Sequence, residues 1–344
     1  MIDPWYLEQL VCPVDKTPLR VVDGALASQG GRTYPVVDGI PVMLVEEAEQ
    51  TIGVASSSLA AARDGLKGEK RDDLYLDTLG ISEREKAELA EMAARENHPI
   101  DPVVAFMVAA TSGFTYKHLV GKLSAYPIPE LRLPPGGGAP LLDLGCNWGR
   151  WCVAAARKGY TVTGIDPSLG AVMAARRVAR QMGLPIRGVV ADARYLPFRE
   201  ASYEAVFSYS VLQHLSKDNV GVVLAEIERV LRPGGRSLIQ MPHRIGVRSL
   251  YHQARRRFRE PKDFEVRYWS VGELRERFEE LVGPSDVSVD CYFGLGLQKS
   301  DRHLMPPTYR LAIDASERLR SASRRVGALT YLADSVYVES VKAA

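Results

Sequence analysis

The chain has few cysteines, almost no excess charge and no long apolar runs. Four cysteines stand among 344 residues (Cys12, Cys146, Cys152 and Cys291), too scattered for a disulfide framework. They point to a reducing compartment and a cytoplasmic protein. The formal net charge is only +2, which excludes the global basic signature of a nucleic-acid-binding chain. No stretch approaches the roughly 18 apolar residues of a membrane span. Residues Met1 to Leu10 hold two acids and no apolar centre, so no secretory leader is expected. Apolar residues make up 46% and charged residues 25%, as in an ordinary globular protein. The length suffices for two or three domains.

The most informative run is LLDLGCNWG, residues 141–149. An apolar segment ends in Asp143, Gly145 and Gly149 bracket a tight turn, and a helical pattern follows from Trp151 to Lys158. Glycine lets the backbone approach a ligand closely, and a helix N-terminus offers free N–H groups. Alone, this strand–turn–helix pattern is weak. Four further pieces follow in order. TVTGID is a β-rich run ending in Asp166, 21 residues after Gly145, where an acid binds ribose hydroxyls. A third strand, Ile186 to Ala191, leads into Asp192 and Ala193. A fourth runs from Tyr203 into a loop holding Tyr209 and His214. LRPGG, residues 231–235, ends a helix and turns into the apolar strand Ser237 to Met241.

The series LLDLGCNWG, GIDPS, ADARYLPF, SYSVLQHL and LRPGG resembles the class I S-adenosylmethionine-dependent methyltransferases over about residues 139–242. It departs at Asn147, where the family usually has glycine, and at the bulky Trp148. The resemblance implies an α/β, Rossmann-like sheet of seven strands with helices on both faces. Its seventh strand, here Tyr331 to Val341, is antiparallel and lies between the fifth and the sixth, Val287 to Tyr292. The implied cofactor is S-adenosylmethionine. Gly145, Cys146 and Gly149 would lie along its methionine part, with Asp143 orienting that loop. Asp166 would hold the ribose, and Pro167, Asp192 and Ala193 the adenine. Tyr209 would stand beside the sulfonium. Tyr116 and Lys117 precede the domain where relatives set an aromatic or basic residue against the cofactor carboxylate.

Residues 1–48 read as a small β-rich module, 49–134 as a linker (Ser-, Ala- and Gly-rich over 50–70) and helical cap, and 135–344 as the methyltransferase domain. Insertions over about 243–270 and 293–328 would supply lid elements. The module resembles the small zinc-ribbon methyltransferase activators and their bacterial stand-alone counterparts. Their Cys-Pro-x-Cys knuckle is broken here: Cys12 is followed by Asp15, and no second cysteine pair exists. Structural zinc needs four ligands. A metal-free module is therefore expected, serving as a docking or homodimerisation face. Ser82 with Glu85, and Ser270 with Glu273, read as capping boxes.

In-line methyl transfer needs mainly alignment and exclusion of water, and a hydroxyl acceptor also needs a base. His214 and His243, both at strand ends, are the candidates. From His243 through Arg259 the chain has six arginines, Arg259 included, and no acid. Val247, Tyr251, Ala254 and Phe258 form one face of a helix there, and Arg248, His252, Arg255 and Arg259 another. Those arginines form either a solvated face or a wall for an anionic acceptor. The expected function is O-methylation of a small-molecule, lipid-linked or glycosylated metabolite. RNA or protein methylation is the alternative, although the motif of amino-group methylases is missing after the fourth strand. A non-catalytic cofactor-binding protein is a second alternative.

Overall fold

The computed structural model describes residues 2–50, 53–67, 73–95, 98–111, 116–294 and 296–344. The N-terminal module consists of α1 (Pro4–Gln9) and five short strands: β1 (Leu19–Val22), β2 (Ala25–Ser28), β3 (Thr33–Tyr34), β4 (Val36–Val37) and β5 (Ile40–Pro41). Strands β1 to β3 form one antiparallel sheet and β4–β5 a hairpin, with Gly24 and Gly39 at positive φ in the turns. Cys12 is buried with its thiol 3.1 Å from the Tyr34 hydroxyl, and Asp15 accepts the backbone N–H (3.0 Å) and the hydroxyl of Thr17 (2.6 Å). Among the described residues no group of three His, Cys, Asp or Glu side chains is placed to hold a metal.

Three helices follow: α2 (Val54–Leu66), α3 (Glu83–Ala93) and α4 (Pro102–Thr111). The first overturns the linker reading of residues 50–70. Ala55, Ala61 and Ala62 are buried against Leu169, Val172 and Met173, and small alanines are what close helix packing requires. Ser82 and Glu85 form the expected capping box on α3. Residues 112–115, within the expected helical stretch 101–125, lie outside the described residues, as does the side chain of Lys117.

The remainder is built on seven strands: β6 (Pro140–Leu144), β7 (Thr161–Asp166), β8 (Ile186–Val190), β9 (Tyr203–Ser208), β10 (Leu231–Pro242), β11 (Ser285–Cys291) and β12 (Ser335–Val341). They lie in the order β11-β12-β10-β9-β6-β7-β8. All neighbours are parallel except β12, which is antiparallel to both β10 and β11. The expected sheet is therefore present, last strand included. Helices α5 (Arg150–Arg157), α6 (Leu169–Gln181), α7 (Lys217–Val230), α8 (Val247–Arg255), α9 (Val271–Leu281) and α10 (Pro307–Ser323) complete the fold. Strand alternation sends Leu142, Leu144 and Val206 into one core with α7 and α9. It sends Leu141, Ala205 and Phe207 into another with α5.

Two features of the flanking parts come from tertiary packing. The module does not stand apart from the sheet. Val42 pairs in parallel with Val190 at the edge of β8, Met43 N–H donates to Val190 O (2.7 Å), and Lys16 pairs with Glu226 of α7 (2.7 Å). Tyr6, Leu10, Leu26 and Met43 belong to the same core as Leu144 and Ile165. An uncovered edge strand invites pairing, and here the chain covers its own edge. Nor is the row Val247, Tyr251, Ala254 and Phe258 turned to the core: Val247 is 69% and Phe258 67% exposed. Instead α8 is anchored at its N-terminus, where the Asp334 carboxylate accepts the backbone N–H groups of Arg248 (2.8 Å) and Ser249 (2.9 Å).

Leu10 is fully buried, so Leu10→Ala should cost about 2–4 kcal/mol. If module and sheet share a core, the whole chain should melt earlier in one calorimetric transition. A separate early transition, with the main one unmoved, would show that the module folds independently. Elemental analysis of protein purified without added metal is expected to find far less than one zinc per chain. Stoichiometric zinc that survives mild chelation would contradict the broken ligand set.

Candidate active site

Strand order reverses between β6 and β9, and ligands of open α/β sheets sit beyond the strand ends at such a point. The turn after β6 starts at Gly145, whose φ is +74°; a Cβ there would come within 2.3 Å of the Val211 side chain. Only glycine fits. Asn147, the departure from the family pattern, also lies at positive φ (48°). Asparagine tolerates that region because its short side chain bonds locally, and its Oδ1 accepts the Trp148 N–H at 2.7 Å. The chain then enters α5 through Gly149, at φ +87° and packed on Ala175.

Asp166, at the end of β7, accepts the N–H of Asn147 (3.1 Å) and of Ser168 (2.9 Å). Burial pushes its carboxyl up to about 6, against those two N–H groups, which lower it. Two cavities open beside it. The larger, about 350 Å³, is lined by Gly145, Cys146, Tyr209, Gln240, Arg248 and Tyr268, among others. The smaller, about 100 Å³, is lined by Ile165, Pro167, Asp192, Ala193 and Phe264, among others. Gly145 and His214 line both.

The structure thus gathers Gly145, Cys146, Pro167, Asp192, Ala193, Tyr209, His214 and Arg248 around one connected region. Asp192 is held by Arg194, which donates from its backbone N–H (2.9 Å) and from Nη2 (2.7 Å). The Tyr209 hydroxyl donates to Asp290 (3.0 Å), and burial pushes the phenol well above its usual range, so it stays protonated. Asp290 also accepts from Ser335 (2.7 Å) and Arg132 (3.1 Å).

Other expected residues lie behind the lining. Asp143 is buried, accepts the Cys152 thiol at 3.1 Å, and is pushed by burial up to about 7. Tyr116 is buried with its hydroxyl 2.9 Å from Arg150 Nη2. Arg150 itself lines the larger cavity and pairs with Asp301 at 2.9 Å. Sequence reasoning missed it, although its place as the first residue of the helix after the glycine turn was a usable signal. His243 is fully buried beside the Ala333 carbonyl (3.1 Å) and faces neither cavity. His214 is stacked on Phe264 at 3.7 Å, its Nδ1 lies 2.7 Å from the Phe264 carbonyl, and burial pushes it down to about 4. His252, named in sequence only as part of a basic face, lines the larger cavity.

The three arginines part company. Arg248 lines the larger cavity. Arg255 and Arg259 line an adjoining open cleft with Arg256 and Arg257, and Arg259 is held in both its Nη atoms by Glu265 (2.7 and 2.6 Å).

A family model described as a methyltransferase domain matches residues 141–235, from the first strand of this site to the glycines before β10. The chain carries a methyltransferase domain. Its sheet, with the antiparallel β12, and its glycine turn are those of the S-adenosylmethionine-dependent class. The chain is 37% identical over 112 residues to methyltransferase GfsG of Streptomyces halstedii, covering 31% of this chain and 39% of that one. It is 31% identical over 101 residues to a ubiquinone biosynthesis O-methyltransferase of Agrobacterium fabrum, covering 29% and 40%. It therefore spans about two fifths of the length of these curated methyltransferases. A 51-residue stretch is 49% identical to a UPF0434 protein of Vesicomyosocius okutanii and covers 86% of it, though 14% of this chain. Over that stretch the chain belongs to the UPF0434 family.

The residues fit S-adenosylmethionine. The turn at Gly145 has no room for a Cβ, the smaller cavity has the apolar floor that a purine needs, and the Asp166 carboxylate, itself in neither lining, is bonded to Asn147 of the larger cavity's wall and adjoins Ile165 and Pro167 of the smaller one's. Ribose hydroxyls donate to an ionised carboxylate, so binding should favour the charged form of Asp166. Cofactor affinity is then expected to tighten about tenfold as pH rises from 5 to 7, through the Asp166 titration near 6. Calorimetry with S-adenosylhomocysteine measures this. Asp166→Asn should flatten the profile, and Asp166→Ala should weaken binding by about 2–4 kcal/mol. A flat wild-type profile, or an alanine variant within twofold of wild type, would remove the carboxylate from the site.

Proposed function

We propose that this chain transfers a methyl group from S-adenosylmethionine to an oxygen of a small-molecule or lipid-linked acceptor, the acceptor carrying negative charge. The observation that carries the reading is the larger cavity. It runs from the glycine turn at Gly145 to Arg248 and Tyr268, so one chamber joins the cofactor turn to a basic wall. The names of the curated O-methyltransferases favour oxygen.

In this reading Asp166 holds the ribose, and Pro167 and Ala193 hold the adenine, with Asp192 steadied by Arg194. Gly145 and Cys146 border the methionine part. Arg150 supplies a cation for its carboxylate, and Tyr116 positions Arg150. Bound S-adenosylmethionine supplies the activated methyl group. Tyr209, locked by Asp290, shapes the wall where acceptor and cofactor meet, and the apolar lining excludes water. His214, held near 4 and occupied by the Phe264 carbonyl, is a poor base, and His243 has no path to the cavity. His252, in the lining of the same cavity, has its Nε2 3.4 Å from Arg248 Nε, and burial, then the charges of Arg248 and Arg255, lower its pKa.

Incubation of the full chain with methyl-labelled cofactor and fractionated cell extract tests the reading. Label is expected in the low-mass or lipid fraction. Label in RNA or protein would favour the alternative acceptor class, and tight cofactor binding without any transfer would favour a binding protein. With an acceptor identified, Arg248→Gln should raise KM about tenfold, since a shielded contact to an anionic group contributes about 1.5–3 kcal/mol. Arg259→Gln, already satisfied by Glu265, should change KM little. Equal effects of the two would undo the assignment of Arg248 to the acceptor wall.

A further inference from the structure

The surface around α8 has a composition that water alone does not favour. Val247, Leu250 and Tyr251 on the helix are exposed, as are Phe258 and Phe264 in the segment after it. Arg257 and Phe258 both lie at positive φ (55° and 54°), a strained backbone for bulky residues, and Phe258 is left 67% exposed. Strain and exposed aromatic surface in one residue are tolerated where the surface is covered by something else. Tyr331 and Leu332 are also exposed, just ahead in the chain of the Asp334 that anchors α8.

Arginines surround this apolar surface. Arg255, Arg256 and Arg257 have no acid within ion-pairing distance among the described residues, while Arg259 is neutralised by Glu265. With Arg259 they line an open cleft of about 650 Å³. Glu260 and Asp263 are the other acids of the segment, and neither pairs with these arginines. The cleft shares His252, Val266 and Tyr268 with the larger cavity, so it opens beside the candidate acceptor site.

We propose that α8 and the segment through Phe264 form a docking surface for an anionic lipid bilayer. The apolar side chains enter the boundary between headgroups and acyl chains, and the arginines face headgroup phosphates. Charge complementarity selects this occupant. A helix with exposed aliphatic and aromatic residues beside unpaired arginines is the composition of an interfacial segment, held by apolar burial and by attraction to anionic lipid. Nucleic acid would use the arginines, but it has no use for Val247 and Leu250, which neither stack nor pair. Among the described residues no helix is long and apolar enough to cross a membrane, so attachment would be peripheral. Docking would present the acceptor cavity to the lipid surface. The inference goes beyond the proposed acceptor chemistry and does not depend on it.

Co-sedimentation of the full chain with sucrose-loaded vesicles tests it, without cofactor or acceptor. Vesicles of phosphatidylcholine with about one third phosphatidylglycerol should bind at least about tenfold more tightly than phosphatidylcholine alone, and added salt should weaken binding. Leu250→Ser with Phe258→Ser should lose binding at least about tenfold while melting as wild type. Arg255→Gln with Arg257→Gln should each contribute about fivefold. S-adenosylhomocysteine affinity, measured on the same variants, should be unchanged, so that loss of docking and failure of the methyltransferase reading are told apart. No binding to anionic vesicles, binding unaffected by the apolar pair, or displacement by millimolar inorganic phosphate alone would overturn the proposal. So would tight, arginine-dependent capture of single-stranded RNA without vesicle binding.

Discussion

The contact on which the site depends is the one between the Asp166 carboxylate and the backbone N–H of Asn147. It ties the end of β7 to the turn after β6. That turn has three residues near the left-handed region, at positions 145, 147 and 149, and such backbone persists only where its surroundings over-determine it. The same carboxylate accepts the Ser168 N–H at the entry to α6. One side chain therefore ties together backbone that borders both cavities. Burial raises its pKa, and the two N–H groups work against that rise.

The opposite wall depends on a second buried carboxylate. Asp290, at the end of β11, gathers Tyr209, Ser335 and Arg132. A buried charge is tolerated only when paired and hydrogen-bonded, and three donors satisfy that demand here. The antiparallel β12 makes this possible by placing Ser335 between the fourth-strand loop and β11. Asp334, one residue earlier, anchors α8 over the cavity mouth. The last strand thus does more than complete the sheet, because its first residue, Ser335, and Asp334 just before it connect the chamber wall to the basic helix.

The N-terminal module belongs to the same economy. It extends the sheet at β8 through Val42 and Met43, and its end runs on to the cofactor side. Glu49 accepts from Arg194 (2.6 Å), the residue that steadies Asp192, and Gln50 lines the smaller cavity. That one arginine links the end of the module to the lining of the smaller cavity. Tyr6, Leu10, Leu26 and Met43 of the module find their core in the larger domain.

Much was legible in the sequence because it is local. The order of glycine turn, acids and strands follows from spacing along the chain, and so do the caps at Ser82 and Ser270. The antiparallel last strand came from family likeness, and the register confirms it. What the sequence could not decide is what long-range packing decides. Residues 50–70 look like a linker until Ala61 and Ala62 meet Leu169. His243 looks like a base until the Ala333 carbonyl buries it. Arg259 matches Arg248 in spacing, yet Glu265 neutralises one and not the other. The helical row from Val247 to Phe258 predicts a helix but not which way its apolar side turns. That depends on long-range contacts such as the one from Asp334, 86 residues further along the chain from Arg248, which caps the helix N-terminus, with Ser249 buried and the apolar row left in solvent. Spacing specifies which residues share a face, and only the folded partners specify what that face meets.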